Sequence, residues 1–567
     1  MNHVVTNLCS DRAVGLRATA LLIRFRGQRA QPVHRGSRLS RRQFQRPRPT
    51  GNIFGYGVGI ADLDQDGAPD IISVGDAAGG VKIWQNDGNG FFTDRSLVPG
   101  LQGSIPARLY SAVSAGDYDN DGDLDLYLSA YGQPDILLRN DGNWTWTNVT
   151  SEAGLGDAGA GCGISWVDFD GDGWLDFYLA NRTGTFFVGN GPALQENRLY
   201  RNNGDGTFTD VAVQMNVHDP GTPSFQGNFF DYNDDGRPDL YLANDKGNSA
   251  CTYPSRLFRN DGETFTDVSE EANALLCIDG MTVTIGDFNN DLRQDVYVSN
   301  VFDGNSLLVA QPGHSFLDQA DDTGTLSTYF GWGAQFFDVE NDGHLELYLC
   351  NTGGPNELFS HTGVFPCNDF APDYAIVGGP NDFSYSAAIG DLNNDGAMDL
   401  VMSSTSRPLR VYINHEGTKR DWLMVRPISE HAYRDAHNAL VTVTSNLGTF
   451  RREITPNSGY KSQNDARAHF GLGENAVIEE VRVRWPSGTE AVLTNVQPNQ
   501  TITVTSPCLA DIVPNGQIDL ADLNALLVRY GQTVDRMSAG DLNANGQVDF
   551  DDLTTLLALF ATSPCGD

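Results

Sequence analysis

The sequence predicts an all-β chain built on a seven-bladed β-propeller, followed by a small β domain and a small α-helical module with the spacing of a calcium loop. Three observations predict it. A nine-residue acidic string recurs seven times, its first acids 55, 51, 63, 56, 51 and 53 residues apart, with strand-like runs on either side. The repeat then stops, and residues 419–506 continue as alternating strands. Two shorter acidic strings, 30 residues apart, close the chain, each leading into an apolar helical run. The expected domains are 1–50, 51–418, 419–506 and 507–567.

The chain has 567 residues, 73 acidic against 37 basic side chains, and a formal charge of −36. Of the acids, 58 are Asp and 15 are Glu. Asp is the shorter carboxylate and suits tight turns and oxygen-ligand metal loops, so the excess points to geometry rather than to solubility alone. A hydrophobic share of 40% is enough for a core. The negative charge argues against nucleic acid as a partner, because phosphates would be repelled. No run of 18 apolar residues exists, which excludes a membrane-spanning helix.

Residues 1–50 stand apart, with eleven Arg, no Lys and one acid, Asp11. The apolar stretch Leu16–Ile23 is cut by Arg17, which is poor for a secretory signal. Ser40 to Phe44 looks like a twin-arginine signal, but no apolar stretch follows it. The segment reads as a basic disordered extension or a mis-chosen start, with a nucleic-acid-binding arm as the functional alternative. Secretion is therefore inferred from the rest of the chain. Cys251/Cys277, Cys350/Cys367 and Cys508/Cys565 are neighbouring cysteines that fit an oxidising compartment. Buried free thiols are the other reading.

Each repeat unit carries about four strand-like runs and no helical period, which is the pattern of a propeller blade. Radial closure also removes the edges a linear array would expose. Numbered from its first acid, each loop places side-chain oxygens at positions 1, 3, 5 and 9. The sets are Asp62, Asp64, Asp66, Asp70; Asp117, Asp119, Asp121, Asp125; Asp168, Asp170, Asp172, Asp176; and Asp231, Asn233, Asp235, Asp239. Three more follow: Asp287, Asn289, Asp291, Asp295; Asp338, Glu340, Asp342, Glu346; and Asp391, Asn393, Asp395, Asp399. Ca²⁺ takes six to eight hard oxygens, and alternate residues of a tight loop can turn three of them inward. Gly at position 6 permits the turn, and the free variation at position 7 suits a backbone carbonyl ligand. Leu292 replaces that Gly in the fifth loop. Mg²⁺ is less suited, because it wants a strict octahedron. An Asp-rich turn without metal is the alternative for any single copy.

A second string follows in most units: Leu138-Arg-Asn-Asp-Gly142, Tyr200-Arg-Asn-Asn-Gly204 and Phe258-Arg-Asn-Asp-Gly262. Together the two strings resemble the FG-GAP/VCBS repeats of integrin α-subunit-like propellers. That resemblance covers residues 52–418 and implies a Ca²⁺-bound hairpin loop in each blade, up to seven in all. In residues 419–506, the strings Asn457–Asn464, His469–Gly473 and Val483–Gly488 resemble an ASPIC/UnbV domain, as found in cartilage acidic protein-like proteins. There Tyr460, Ser462 and Gln463 line a binding surface or form a turn packed under the sheet.

The two tail loops place acids at positions 1, 9 and 12 with Gly at 6, an EF-hand-like spacing. The first offers Asp511, Asn515, Asp519 and Asp522, with Val513 taking one ligand position; the second offers Asp541, Asn543, Asn545, Asp549 and Asp552. The duplicated form resembles a type I dockerin, which implies one or two more Ca²⁺ and a cohesin-type partner or an extracellular assembly. The alternative is a Ca²⁺-stabilised helical pair without a partner.

No H-E-x-x-H, G-x-S-x-G or P-loop signature is present. The leading reading is thus a secreted, non-enzymatic adhesion or ligand-binding protein, with a carbohydrate or matrix ligand. A calcium-assisted polysaccharide lyase or hydrolase is the alternative, and a purely structural matrix protein a third. A central cleft lined by Arg, Lys and Tyr would favour the lyase.

Overall fold

The computed structural model describes residues 25–28, 55–360, 371–372 and 383–560, apart from 76–79, 99–100, 102–104, 107, 183–195, 248–249, 302–303, 406–408, 430–434, 509, 514–517, 535–539 and 543–546. Seven antiparallel sheets follow one another, each starting a strand before one of the acidic loops. The third is representative. Its strands are Gly161–Val167, Asp176–Asn181, Arg198–Asn202 and Phe208–Asp210, paired in that order. The first two are buried at every position, whereas two of the three residues in the last are exposed. That gradient explains the sequence: inner strands packed on both faces read as unbroken apolar and small residues, and only the outer strands alternate. The inner strand of the first sheet, Val58–Ala61, packs against that of the seventh, Ser384–Gly390, so the series closes into a β-propeller.

The seventh sheet takes in a short piece of the N-terminal segment. Its strands Ser384–Gly390, Asp399–Ser404 and Arg410–Asn414 leave one edge open, and Phe25–Gln28 pairs antiparallel with it. A short piece of the basic head thus supplies the missing outer strand; the rest of residues 1–50 lies outside the described residues.

The Asn of the second string joins neighbouring sheets. Asn140 Nδ2 donates to Leu63 O in the previous sheet at 3.0 Å, Asn202 to Tyr118 O at 2.7 Å, Asn260 to Phe169 O at 2.8 Å and Asn414 to Val339 O at 2.8 Å. These amides are buried, so they satisfy carbonyls that water does not reach.

Residues 419–506 form two packed sheets, one of Ala468–Gly473, Asp421–Ile428 and Gln500–Thr505, the other of Gly448–Glu453, Leu440–Ser445, Ile478–Arg484 and Glu490–Leu493. Leu423, Val441, Phe450, Phe470 and Val481 fill the space between them. In the tail, helices Leu520–Arg529 and Phe550–Leu559 pack around Leu526, Val548 and Leu556. None of the described helices is long and apolar enough to cross a membrane.

The segment Asn457–Asp465 of the second domain runs into the axis of the ring and bonds to the inner part of every sheet. Ser462–Gln463 pairs in parallel with Val58–Gly59, Gln463 Nε2 donates to Ala115 O at 2.9 Å, and Asn457 Oδ1 accepts from Trp166 N–H at 3.0 Å. Gln226 Nε2 donates to Asn457 O at 3.4 Å, and Ser458 Oγ accepts from Ile285 N–H at 2.9 Å. Gln335 Nε2 donates to Ser458 O at 3.2 Å, and Asn464 Oδ1 accepts from Ile389 N–H at 3.0 Å. Tyr460, Ser462 and Gln463 are therefore buried in the channel and do not sit under their own sheet.

Cys251 and Cys277 are disulfide-bonded. Cys350 is a buried free thiol, so the expected Cys350/Cys367 bridge does not form. Cys508 is in a disulfide whose other half lies outside the described residues.

Candidate metal centres

The acidic strings are the turns between the first and second strands of each sheet, and all lie on the side of the ring that the second domain covers. The position-1 carboxylate accepts the N–H of position 6 in all seven loops, from Gly67 to Asp62 at 3.2 Å through Gly396 to Asp391 at 2.8 Å. The position-5 carboxylate accepts the N–H of position 7, as at Ala68 to Asp66 (2.8 Å) and Ala397 to Asp395 (3.1 Å). In the third to seventh loops the other position-1 oxygen accepts the N–H of position 5 as well, as at Asp172 to Asp168 (3.1 Å) and Asp395 to Asp391 (3.1 Å).

Two features escaped the sequence reading. Position 4 is left-handed as well as position 6: Gln65, Asn120, Gly171, Asp234, Asn290, Asn341 and Asn394 all have φ between 52° and 71°. The recurrent Asn there was the available signal, since Asn tolerates this region better than most residues. Position 9 is also a structural clamp. Asp125 accepts from Tyr118 N–H at 3.1 Å and from Asn140 N–H at 2.8 Å; Asp70, Asp176, Asp239, Asp295 and Asp399 each take two backbone donors in the same way.

Oxygens converge most closely in the first three loops. One oxygen from each of Asp62, Asp64 and Asp66 lies within 4.8 Å of the other two, and the same holds for Asp117, Asp119 and Asp125 and for Asp168, Asp170 and Asp176. Asp70, Asp121 and Asp172 are not among these converging oxygens. No hydrogen bond reaches the buried oxygens Asp64 Oδ1 and Asp119 Oδ1. Burial, with help from neighbouring carboxylates, pushes Asp119 up to about 6 and holds Asp125, Asp168 and Asp176 well above the usual carboxylate range. For Asp70, burial raises the group to about 8, partly offset by the Asn86 backbone N–H. Crowded, dehydrated carboxylates of this kind need a proton or a cation. Hard oxygens alone, three or more to a loop, suit Ca²⁺.

The remaining loops keep the turn, and the fourth, fifth and seventh offer one carboxylate fewer. Asn233, Asn289 and Asn393 stand at position 3, and each donates its amide to the position-5 carboxylate, at 3.0, 2.9 and 2.8 Å. In the sixth loop Glu346 replaces Asp, and one oxygen accepts from Val339 N–H at 2.8 Å.

In the tail, Asp522 accepts from Val513 N–H at 2.8 Å and Asp519 N–H at 2.7 Å, and Asp552 accepts from Leu542 and Asp549 N–H, both at 2.7 Å. Asp519 caps the first helix through Ala521 N–H. Asp511 and Asp541 open their loops; Asn515, Asn543 and Asn545 lie outside the described residues.

A closed ring of sheets with an acidic turn on the same corner of each defines a repeat-built propeller. The FG-GAP-like repeat matches residues 62–128, 117–179, 185–242, 231–298 and 338–402, together more than half of the chain, and the protein belongs to that family. The ASPIC and UnbV family matches residues 429–508. Cartilage acidic protein 1 of Xenopus tropicalis is 24% identical over 510 residues, covering 73% of this chain and 77% of its own. The Homo sapiens protein of the same name is 24% identical over 477 residues, covering 69% and 71%. Among solved structures, YCF48 from Cyanidioschyzon merolae has a TM-score of 0.39 at 11% identity, covering 65% of this chain and 97% of that one.

Proposed function

We propose that the chain is a secreted, non-enzymatic adhesion or ligand-binding protein, in which a seven-bladed propeller is ordered by Ca²⁺ and a dockerin-like tail attaches it to a cohesin-type partner or another extracellular assembly. The observation that carries this reading is the set of converging carboxylates in the first three loops; the other four keep the same backbone turn. Position 1, 3, 5 and 9 side chains hold the ion, and Ca²⁺ supplies positive charge to a crowded turn. The bridge between Cys251 and Cys277 suits an oxidising compartment. Likeness to cartilage acidic protein 1 supports the same class.

The lyase alternative called for an open central cleft. Instead, Tyr460 and Lys461 of the inserted segment and Arg182 beside them are buried in the channel, which favours a binder over an enzyme. The test is a glycan array and a cohesin pulldown with the full chain in calcium. Binding in either supports the reading, and silence in both sinks it.

A further inference from the structure

We infer that the gap between the second domain and the seam of the first and seventh sheets is a binding site for an acidic saccharide, with Arg426 taking its carboxylate and Thr501 and Thr503 its hydroxyls. The inference deepens the ligand-binding reading above and rests on it.

The sheet of Ala468–Gly473, Asp421–Ile428 and Gln500–Thr505 turns one face to the core of its own domain, through Leu423 and Val425, and the other to the ring. On the ring side Met424 is buried in one cluster with Leu400 and Met402 of the seventh sheet, and His469 Nε2 lies 3.1 Å from Gly396 O. Arg426, two residues along, points to the same side. The parallel register pairs Met424 with Thr501 and Arg426 with Thr503, so both threonines share that face. Yet Thr501 and Thr503 are exposed. The sheet therefore closes on the ring at Met424 and His469 and stands off it towards its edge strand. The space left measures about 380 Å³, within the range of small-ligand sites. Its floor is the end of the axial segment, and its far wall includes Asp62 and Asn394.

Two arginines line this space, and they differ. Arg467 is fully engaged: Nε donates to Asp465 Oδ2 at 2.8 Å, Nη1 to Asn394 Oδ1 at 3.1 Å and Nη2 to Asp391 O at 3.1 Å. Arg426 has a side chain 23% exposed, and Asp62 at 3.7 Å and Asp435 at 3.9 Å stand beyond hydrogen-bond distance. Among the described residues neither its guanidinium nor the hydroxyls of Thr501 and Thr503 make a hydrogen bond. Five N–H donors and two hydroxyls thus border the cavity without a partner.

A guanidinium fork matches a carboxylate in two-point geometry. The threonines can exchange hydrogen bonds with sugar hydroxyls, and Asp435 can accept one. A ligand with one acidic group and several hydroxyls uses all of these groups. Among the described residues no aromatic ring lines the cavity, so the sugar is held by its acidic end and not by stacking. Over the lining, the carboxylates of Asp62, Asp435 and Asp465 stand against the two guanidinium groups. A divalent ion in the first loop would turn that excess positive, so the acid should bind the calcium-loaded chain.

The experiment is calorimetric titration of the full chain in saturating calcium with a uronic acid trisaccharide, with its methyl ester, and with an aspartate-containing tripeptide. The acid should bind at least tenfold more tightly than the ester or the peptide. Arg426→Gln should lose tenfold or more, and the double variant Thr501→Val with Thr503→Val several-fold. Calcium-dependent melting of each variant checks that it is folded. Should Arg426→Gln fail to fold, the double variant decides. Equal binding of acid and ester, no binding of the acid, or wild-type affinity in the folded variants would overturn the site while leaving the ligand-binding reading intact. A peptide that binds as tightly as the trisaccharide would overturn the saccharide assignment. Silence in both the glycan array and the cohesin pulldown would remove the ligand-binding reading itself.

Discussion

Asn86 Nδ2 donates to Leu392 O at 2.7 Å, and this single amide ties the first sheet to the last. The same amide donates to Pro69 O at 2.9 Å, and the Asn86 backbone N–H reaches Asp70. Asn86 occupies in the first sheet the place that Asn140, Asn202, Asn260 and Asn414 hold in theirs. In the fifth sheet the equivalent position is Ala310, whose N–H still meets Asp295 but which has no amide to offer the fourth sheet. Ring closure thus rests on an Asn whose place in the second string, on the sequence alone, marked only the repeat.

Replacing Asn86 by Ala leaves two buried carbonyls without a donor, at a cost of about 2–3 kcal/mol. Urea unfolding should show a lower midpoint for Asn86→Ala, whereas Asn89→Ala, on the exposed turn three residues on, should behave as wild type.

Leu292 holds φ at 68° in the fifth loop, where six other loops have Gly. It is 38% exposed, so removing its side chain forfeits little burial. Leu292→Gly should stabilise the protein by about 1 kcal/mol through relief of the left-handed strain. A drop in stability would mean that Leu292 packs against something that matters more.

Chelation should lower the melting temperature, since any ion bound only by the folded state adds stability by mass action, about 2.7 kcal/mol per site at a hundredfold excess over Kd. Differential scanning calorimetry with EDTA and with added calcium reads this directly. Identical curves would remove calcium from the account.

Gly459 sits at φ 124° in the inserted segment, and a Cβ there would come within 2.4 Å of both Gln335 Nε2 and Ser462 Oγ. Because that segment touches every sheet, Gly459→Ala should weaken the ring and the second domain together, by about 3 kcal/mol or more. Thermal unfolding followed by both tryptophan fluorescence and far-UV circular dichroism should shift as one transition.

Burial lowers His437 and His469 to about 4. A histidine neutral in the fold and ordinary in the unfolded chain keeps its full contribution above about pH 6.5 and loses it as pH falls towards 4, on the order of 3 kcal/mol for each. In saturating calcium the stability of the wild type should fall across that window. His469→Gln should flatten the fall, although it gives up the 3.1 Å contact with Gly396 O.

Much of this was legible along the chain. The inner strands are unbroken apolar and small runs because both their faces are covered, and the acids recur because each turn has the same geometry to satisfy. The period of the repeat, the Gly at position 6 and the carboxylates at 1, 3 and 5 all follow from local chemistry within about nine residues. Position 9 was read as a ligand and proves to be a clamp as well, because its partner Asn lies on a strand that local spacing cannot place.

What the sequence determined by itself was the unit: a four-stranded sheet with a carboxylate-lined turn and a second domain of alternating strands. Tertiary structure decided what joins the units. Asn457–Asp465 reads as a polar turn, yet its backbone, amides and hydroxyls have partners in all seven sheets, Ser462–Gln463 reaching 404 residues back to Val58–Gly59. Arg237 and Arg293 read as freely varying position-7 residues until folding brought them onto the carboxylates two places before them. Phe25–Gln28 lay unremarked in a basic head until the last sheet offered it an edge. In each case the deciding force is the need of a buried or crowded polar group for a partner, and the identity of that partner is set by the closed ring, not by neighbours in the chain.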